Sequence, residues 1–274
     1  MNKSVIWAIA QKDMRAITTN NQIWGGMVVL PLILCVLMPG GIILAAKLAP
    51  TDTKDMKDMI QAVLQALPAD MAQDMRSWSG SKQMIYVLVN YMLGSLFLLI
   101  PCLNSMMTAA NSFVGEKERR TLESLLFAPI TMTELFVGKV LSALLPAIVL
   151  SFISFVLFCL VVNGLTIGMF PELLAMNANW LLLVFWLSPI LSLFSVLLNV
   201  LISARVQSFQ AAQQMGATIV LPVIALVIGQ ATGMLLLSPM LLFAIGLVLL
   251  VGNVLLLKLI TRYNDRNLLF EKQI

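Results

Sequence analysis

The sequence predicts an all-α integral membrane protein with six transmembrane helices, and three observations carry that prediction. First, the chain is 60% hydrophobic and only 11% charged, whereas soluble domains carry roughly a quarter charged residues. Second, apolar runs of bilayer-spanning length recur along it. Third, threading those runs through a membrane leaves most of the Lys and Arg residues on one side. The cysteines Cys35, Cys102 and Cys159 all lie inside apolar runs, which suits packing rather than a disulfide framework. There is no histidine, so the commonest metal ligand and general base is missing. A net charge of +4 gives no support for nucleic-acid binding.

Residues 1–21 read as an amphipathic helix lying in the membrane surface. Trp7, Ala10, Met14 and Ile17 share one helical face, with Lys12, Asp13 and Arg15 off it. The long polar start and the spanning-length run that follows argue against a secretory signal. Residues 23–48 form the first crossing, kinked by Pro31 and Pro39-Gly40-Gly41. Residues 50–82 are polar and extracellular by topology. Met56, Met59, Ile60, Val63, Leu64 and Leu67 recur at helical spacing before Pro68, and a second short helix carries Met71, Met75 and Trp78. Residues 84–113, 135–162 and 180–203 are the next three crossings. No charge occurs from Val206 to Leu257, too long for one span, so this stretch divides at Gly233 and Ser238-Pro239 into crossings 216–237 and 240–259. Residues 261–274 form a basic-then-apolar cytoplasmic tail.

Charge placement fixes the orientation. With the N-terminus inside, Lys3, Lys12, Arg15, Lys117, Arg119, Arg120, Lys139, Arg205, Lys258, Arg262, Arg266 and Lys272 are cytoplasmic. Lys47, Lys54, Lys57, Arg76 and Lys82 lie outside, so the excess is inside and both termini are cytoplasmic.

The densest charge falls in residues 114–130, between the second and third crossings. As a helix, this stretch puts Leu122, Leu125 and Leu126 on one face, and spaces Glu116/Arg120 and Arg119/Glu123 as i,i+4 ion pairs. Pro129 stops it, and Thr131-Met132-Thr133-Glu134 is a capping box that starts the next helix. The plain alternative is a solvated loop held inside by its basic residues.

The run Ala109-Ala110-Asn111-Ser112, then Glu116-Lys117-Glu118, Thr121-Leu122-Glu123, Leu125-Leu126, Pro129 and Gly138-Lys139 resembles the signature of ABC-2 type transporter permeases, with Arg120 where many members have Gly. The resemblance implies the membrane subunit of an ATP-binding-cassette exporter in the cytoplasmic membrane of a prokaryote. It implies two copies of an ABC ATPase as partners and a second permease, identical or homologous, beside this one in the lipid bilayer. ATP and Mg would sit on the ATPase, since no P-loop pattern occurs in this chain. The resemblance assigns ATPase coupling to residues 114–130, which places Glu116, Lys117, Glu118, Arg119, Arg120, Thr121, Leu122, Glu123, Leu125, Leu126 and Pro129 at the contact. A second cytoplasmic contact falls at Arg205, Gln207 and Gln210, in a glutamine-rich connector that reads equally as a soluble linker.

Within the crossings no ionisable residue has to sit deep, which argues against a proton- or sodium-driven carrier. The candidate pathway polar residues are Asn90, Asn104, Asn199 and Gln230. A path of Met, Phe and amides suits a hydrophobic or amphipathic substrate, with a sodium ion as the alternative. Met56 and Met59, with Met71 and Met75, are thioether pairs that would suit Cu(I), but without Cys or His nearby they read as pliable apolar surface at an extracellular rim. The rival functions are a membrane regulator or sensor that partners an ATPase without transporting, and a membrane enzyme, for which no nucleophile–base pair is present.

Overall fold

The computed structural model describes residues 2–48, 60–61, 63–65, 69–118, 130–231 and 238–263. Most of these are helical, with no strand among them, and six of the helices are long and apolar enough to cross a membrane. We number α1 Lys3–Thr19, α2 Asn21–Leu48, α3 Ala69–Arg76, α4 Gly80–Glu118, α5 Met132–Thr166, α6 Ala178–Ser203, α7 Phe209–Gln230 and α8 Pro239–Tyr263.

The ends are set by short polar side chains. Asn2 caps α1 by accepting from the Ser4 N–H, and Asn20 ends α1 while capping α2 through the N–H groups of Gln22 and Ile23. A single asparagine therefore turns the chain from α1 into the first span. The capping box of α5 is formed, with Thr131 Oγ1 accepting from the Glu134 N–H at 3.3 Å and the Glu134 carboxylate accepting from the Thr131 N–H at 3.1 Å. Ser208 caps α7, so that helix begins before the apolar run does. Pro31 and Pro39 leave α2 unbroken, and a π-turn over Ile33–Leu37 lies between them. α4 contains π-turns over Leu88–Met92 and Asn111–Gly115, local widenings that neighbouring helices must support.

α4 is the hub. It packs against α2, α5, α6 and α7, and its most apolar stretch is 72% buried. At 1.5 Å per residue its 39 residues run about 58 Å, well beyond a hydrocarbon core of roughly 30 Å. The core contains an aromatic cluster: Trp180 lies 4.3 Å from Phe158 and 5.8 Å from Phe97, ring centroid to centroid. α8 is the opposite case, with only 17% of its span buried. It rests on α6, where Gly246 lets the Trp186 ring approach so closely that a Cβ would lie 2.1 Å from Nε1. Its outer face shows Met240, Val248, Val251 and Leu255. In water such a face would be a liability, whereas in lipid it costs nothing.

The bundle has two dissimilar ends. α1 crosses one of them, and α3 lies at the other with the loop between α5 and α6. Lys47 there donates to the carbonyl of Leu165, joining the ends of α2 and α5.

Candidate functional site

Where α1 crosses the bundle, the sequence puts a glycine and a lysine side by side in α5. A Cβ on Gly138 would lie 2.9 Å from Cβ and Cγ2 of Ile9 and 3.1 Å from the Ile6 carbonyl. Only a glycine lets α1 settle this deeply on α5. The next residue, Lys139, then reaches under α1 and is just 3% exposed.

Its ammonium pairs with the Glu116 carboxylate, donates to the Ser112 carbonyl and stands 3.7 Å from Asp13 Oδ2. Ser112 Oγ donates to the same Asp13 oxygen at 2.6 Å and lies 3.3 Å from Ser142 Oγ. Glu116 is shared, because its other oxygen accepts from Lys12 Nζ at 2.6 Å. Three elements thus meet through charge: α1 with Lys12 and Asp13, α4 with Ser112 and Glu116, and α5 with Lys139. Burial alone would lower the pKa of Lys12, but the hydrogen bond and charge of Glu116, with Asp13 behind them, raise it above the ordinary lysine value. A second tie joins α1 to α5, where the Asn2 N–H donates to Glu134 at 2.6 Å.

The cluster brings in a residue the sequence did not single out: Asp13, 4% exposed, faces inward with Ile6, Ile9, Ala10 and Ile17, while Trp7 is 53% exposed. At this end of the bundle, paired charges and hydrogen bonds offset the desolvation of the buried ionisable groups. The signal for Asp13 was its register, three residues after Ala10 and four before Ile17. For Lys139 it was a lone charge within an apolar run.

The structure joins the two expected cytoplasmic contacts at Glu116–Glu118 and the α6–α7 connector. Lys117 Nζ donates to the Val206 carbonyl at 3.1 Å, and Glu118 accepts from the Phe209 N–H at 3.0 Å, at the start of α7. Arg205, Gln207 and Gln210 are exposed. Gln210 lines a cleft of about 560 Å³ together with Asn20, Gln22, Asn111, Glu118 and Gln213. Arg119, Arg120, Thr121, Leu122, Glu123, Leu125, Leu126 and Pro129 lie outside the described residues, as do Met56 and Met59.

The remaining candidates are scattered. Asn90 accepts from Asn177 and donates to the Tyr86 carbonyl, and Gln230 accepts from Ser95. Asn199 donates to the Ser195 carbonyl at 2.9 Å. Asn104 Nδ2, Asn199 Oδ1 and Gln230 Nε2 are buried with no hydrogen-bond partner among the described residues. Asn90 and Asn104 stand roughly 21 Å apart along α4 at the usual rise, so these residues form no single site. A separate cavity of about 270 Å³, bounded by Leu98, Leu191, Phe194, Ile219, Val223 and Leu249, is almost wholly apolar. Met71 lies in α3, and Met75 is fully buried against Val63, Val87 and Tyr91, which takes its thioether away from an open rim.

A family model described as ABC-2 family transporter protein matches residues 7–265. Among curated proteins, none matches the chain.

Proposed function

The chain belongs to the ABC-2 family of transporter proteins, and from that premise we propose that it is the permease subunit of an ATP-binding-cassette exporter for a hydrophobic or amphipathic substrate. It is a multi-pass membrane protein of a transport family that works with ABC ATPases. In the proposed assembly, two ATPase subunits carry ATP and Mg, and a second permease, identical or homologous, completes the pathway. The α1 end faces the cytoplasm, by the excess of Lys and Arg there, in the membrane of a prokaryote.

The observation that carries the mechanism is the ionic junction at Glu116. Residues 119–129 follow α4 in the sequence, so we infer that a push on that segment by a closing ATPase reaches Glu116–Glu118 first. From there Glu116 hands it to α1 through Lys12 and to α5 through Lys139, while Lys117 and Glu118 hand it to the connector and the start of α7. Removing one partner from a buried ion pair costs about 3–5 kcal/mol, so these elements move as one body rather than sliding apart. The apolar cavity and the amide-lined cleft support a passenger with an oily body and a hydrogen-bonding end.

Inside-out proteoliposomes holding the chain and its co-expressed ATPase test the reading. The expected result is ATP-dependent uptake of the amphipathic dye Hoechst 33342, with Glu116→Gln lowering uptake per ATP about fivefold or more while the complex still assembles. Uptake per ATP unchanged in that variant would remove the junction from the mechanism. ATP hydrolysis with no transport of any amphiphile would instead favour a regulator.

A further inference from the structure

At the end of the bundle away from α1, a second lysine is held by rings instead of carboxylates. Trp78 stands in the turn between α3 and α4, Tyr86 in the second turn of α4, and Phe170 in the loop after α5. The ring centroids are 5.3 Å apart for Trp78–Tyr86, 5.7 Å for Trp78–Phe170 and 6.2 Å for Tyr86–Phe170, the first two edge to face. Lys82 Nζ lies 4.9 Å from the Trp78 centroid and 5.1 Å from that of Phe170. Among the described residues no carboxylate pairs with it. All four side chains are half-buried, so the rings are reachable from outside. Glu172, two residues beyond Phe170, is exposed.

The frame around the rings is fixed. Gln83 Nε2 donates to the carbonyls of Met75 at 2.8 Å and Trp78 at 3.3 Å, and the Trp78 N–H donates to Met75 at 3.0 Å. A lysine at such a position would ordinarily extend into water, where its ammonium is strongly hydrated. Turning it onto ring faces gives up that hydration for the attraction of the ring quadrupoles. A quaternary ammonium is weakly hydrated, so it gives up less on entering the same rings.

We propose that Trp78, Tyr86 and Phe170 form a binding site for alkylated ammonium headgroups, filled in the unliganded protein by the chain's own Lys82. Lys82 is tethered next to the rings, so it competes at high effective concentration. The wild-type protein therefore binds an external ammonium weakly, and removing the lysine exposes the full site. The proposal stands apart from the coupling mechanism and does not depend on which side of the membrane this end faces.

The test uses the full chain, labelled with 5-fluorotryptophan, in phosphatidylglycerol nanodiscs. It has five tryptophans, and Trp78→Phe assigns the Trp78 fluorine resonance. Tetramethylammonium chloride is titrated against sodium chloride at equal ionic strength. In Lys82→Gln the Trp78 resonance should move saturably, at about tenfold lower tetramethylammonium than in wild type, and adding Phe170→Ala should reverse that gain by about tenfold. Lys82→Met, which keeps the apolar stem, should behave like Lys82→Gln. Exchange into phosphatidylcholine nanodiscs separates the sources: a shift without added ammonium assigns the site to the lipid headgroup, and a shift only with tetramethylammonium assigns it to a soluble cation. The proposal is overturned if the Trp78 resonance of Lys82→Gln and Lys82→Met ignores both probes while the other tryptophans stay at their wild-type positions. A response that Phe170→Ala leaves unchanged would overturn it equally.

Discussion

Lys139 and Lys82 mark the two ends of the bundle, and both approach an aromatic ring: Lys139 lies 5.6 Å from the Phe113 centroid and Lys82 4.9 Å from that of Trp78. The rest of their surroundings differ. Lys139 is buried among two carboxylates and a carbonyl drawn from α1 and α4, whereas among the described residues Lys82 is held by rings alone and is half-buried. A buried ammonium held by carboxylates cannot leave without stranding opposite charge, so it suits a joint that must hold under load. An ammonium held by ring faces near the surface is bound by about 0.5–2 kcal/mol and gives way readily. One end of the molecule is therefore built to hold and the other to exchange.

The largest effect should come from breaking the joint. Lys139→Met leaves Asp13 and Glu116 to share the half-exposed Lys12, and should lower stability by about 3–5 kcal/mol, read as a fall in the thermal midpoint in detergent. Glu116→Gln in the same chain should recover part of that loss by removing one stranded charge. A Lys139→Met protein as stable as wild type would make the cluster incidental. Next in size is Gly138→Val. Its branched side chain meets Ile9 Cβ, which has no room to swing away, so α1 must lift from α5 at a cost of about 1–3 kcal/mol. Limited proteolysis should then cut between residues 3 and 20 before any other described helix. At the other end, Lys82→Gln should change the thermal midpoint little, since a half-exposed cation–π contact contributes about 0.5–1 kcal/mol. A large loss there would erase the contrast between the two lysines.

How much of this the sequence revealed follows the same division. The six spans and the family were legible because apolar run length and the motif from Ala109 to Lys139 are local properties of the chain. The capping box at Thr131–Glu134 was legible for the same reason. The buried cluster was not. Asp13 sits inward because Ser112 and Lys139, distant in sequence, supply its partners, and the apolar spacing of α1 fits a stripe through Trp7 and Met14 just as well. The aromatic site was hidden in the same way, since Trp78 and Phe170 come from separate loops. The early start of α7 was missed because Gln210, Gln213 and Gln214 look unlike a membrane span, although Ser208 is all the helix needs to begin.

The smallest prediction separates charge from packing at the joint. The pKa of Lys12 is raised above 10.5 by Glu116 and Asp13 against the opposing pull of burial. A group whose folded-state pKa is the higher one favours folding wherever the ammonium is intact, and this contribution is complete at neutral pH. It is lost as pH climbs from the ordinary lysine value through the raised one. The difference in thermal midpoint between wild type and Lys12→Met should therefore be constant from neutral pH to about 10 and shrink above 10.5. Lys12→Arg, which keeps its charge through that range, should hold its own difference from Lys12→Met where wild type loses it. A wild-type difference that survives unchanged to the highest pH would mean that the apolar stem of Lys12 does the holding. The ionic joint would then rest on Lys139 alone.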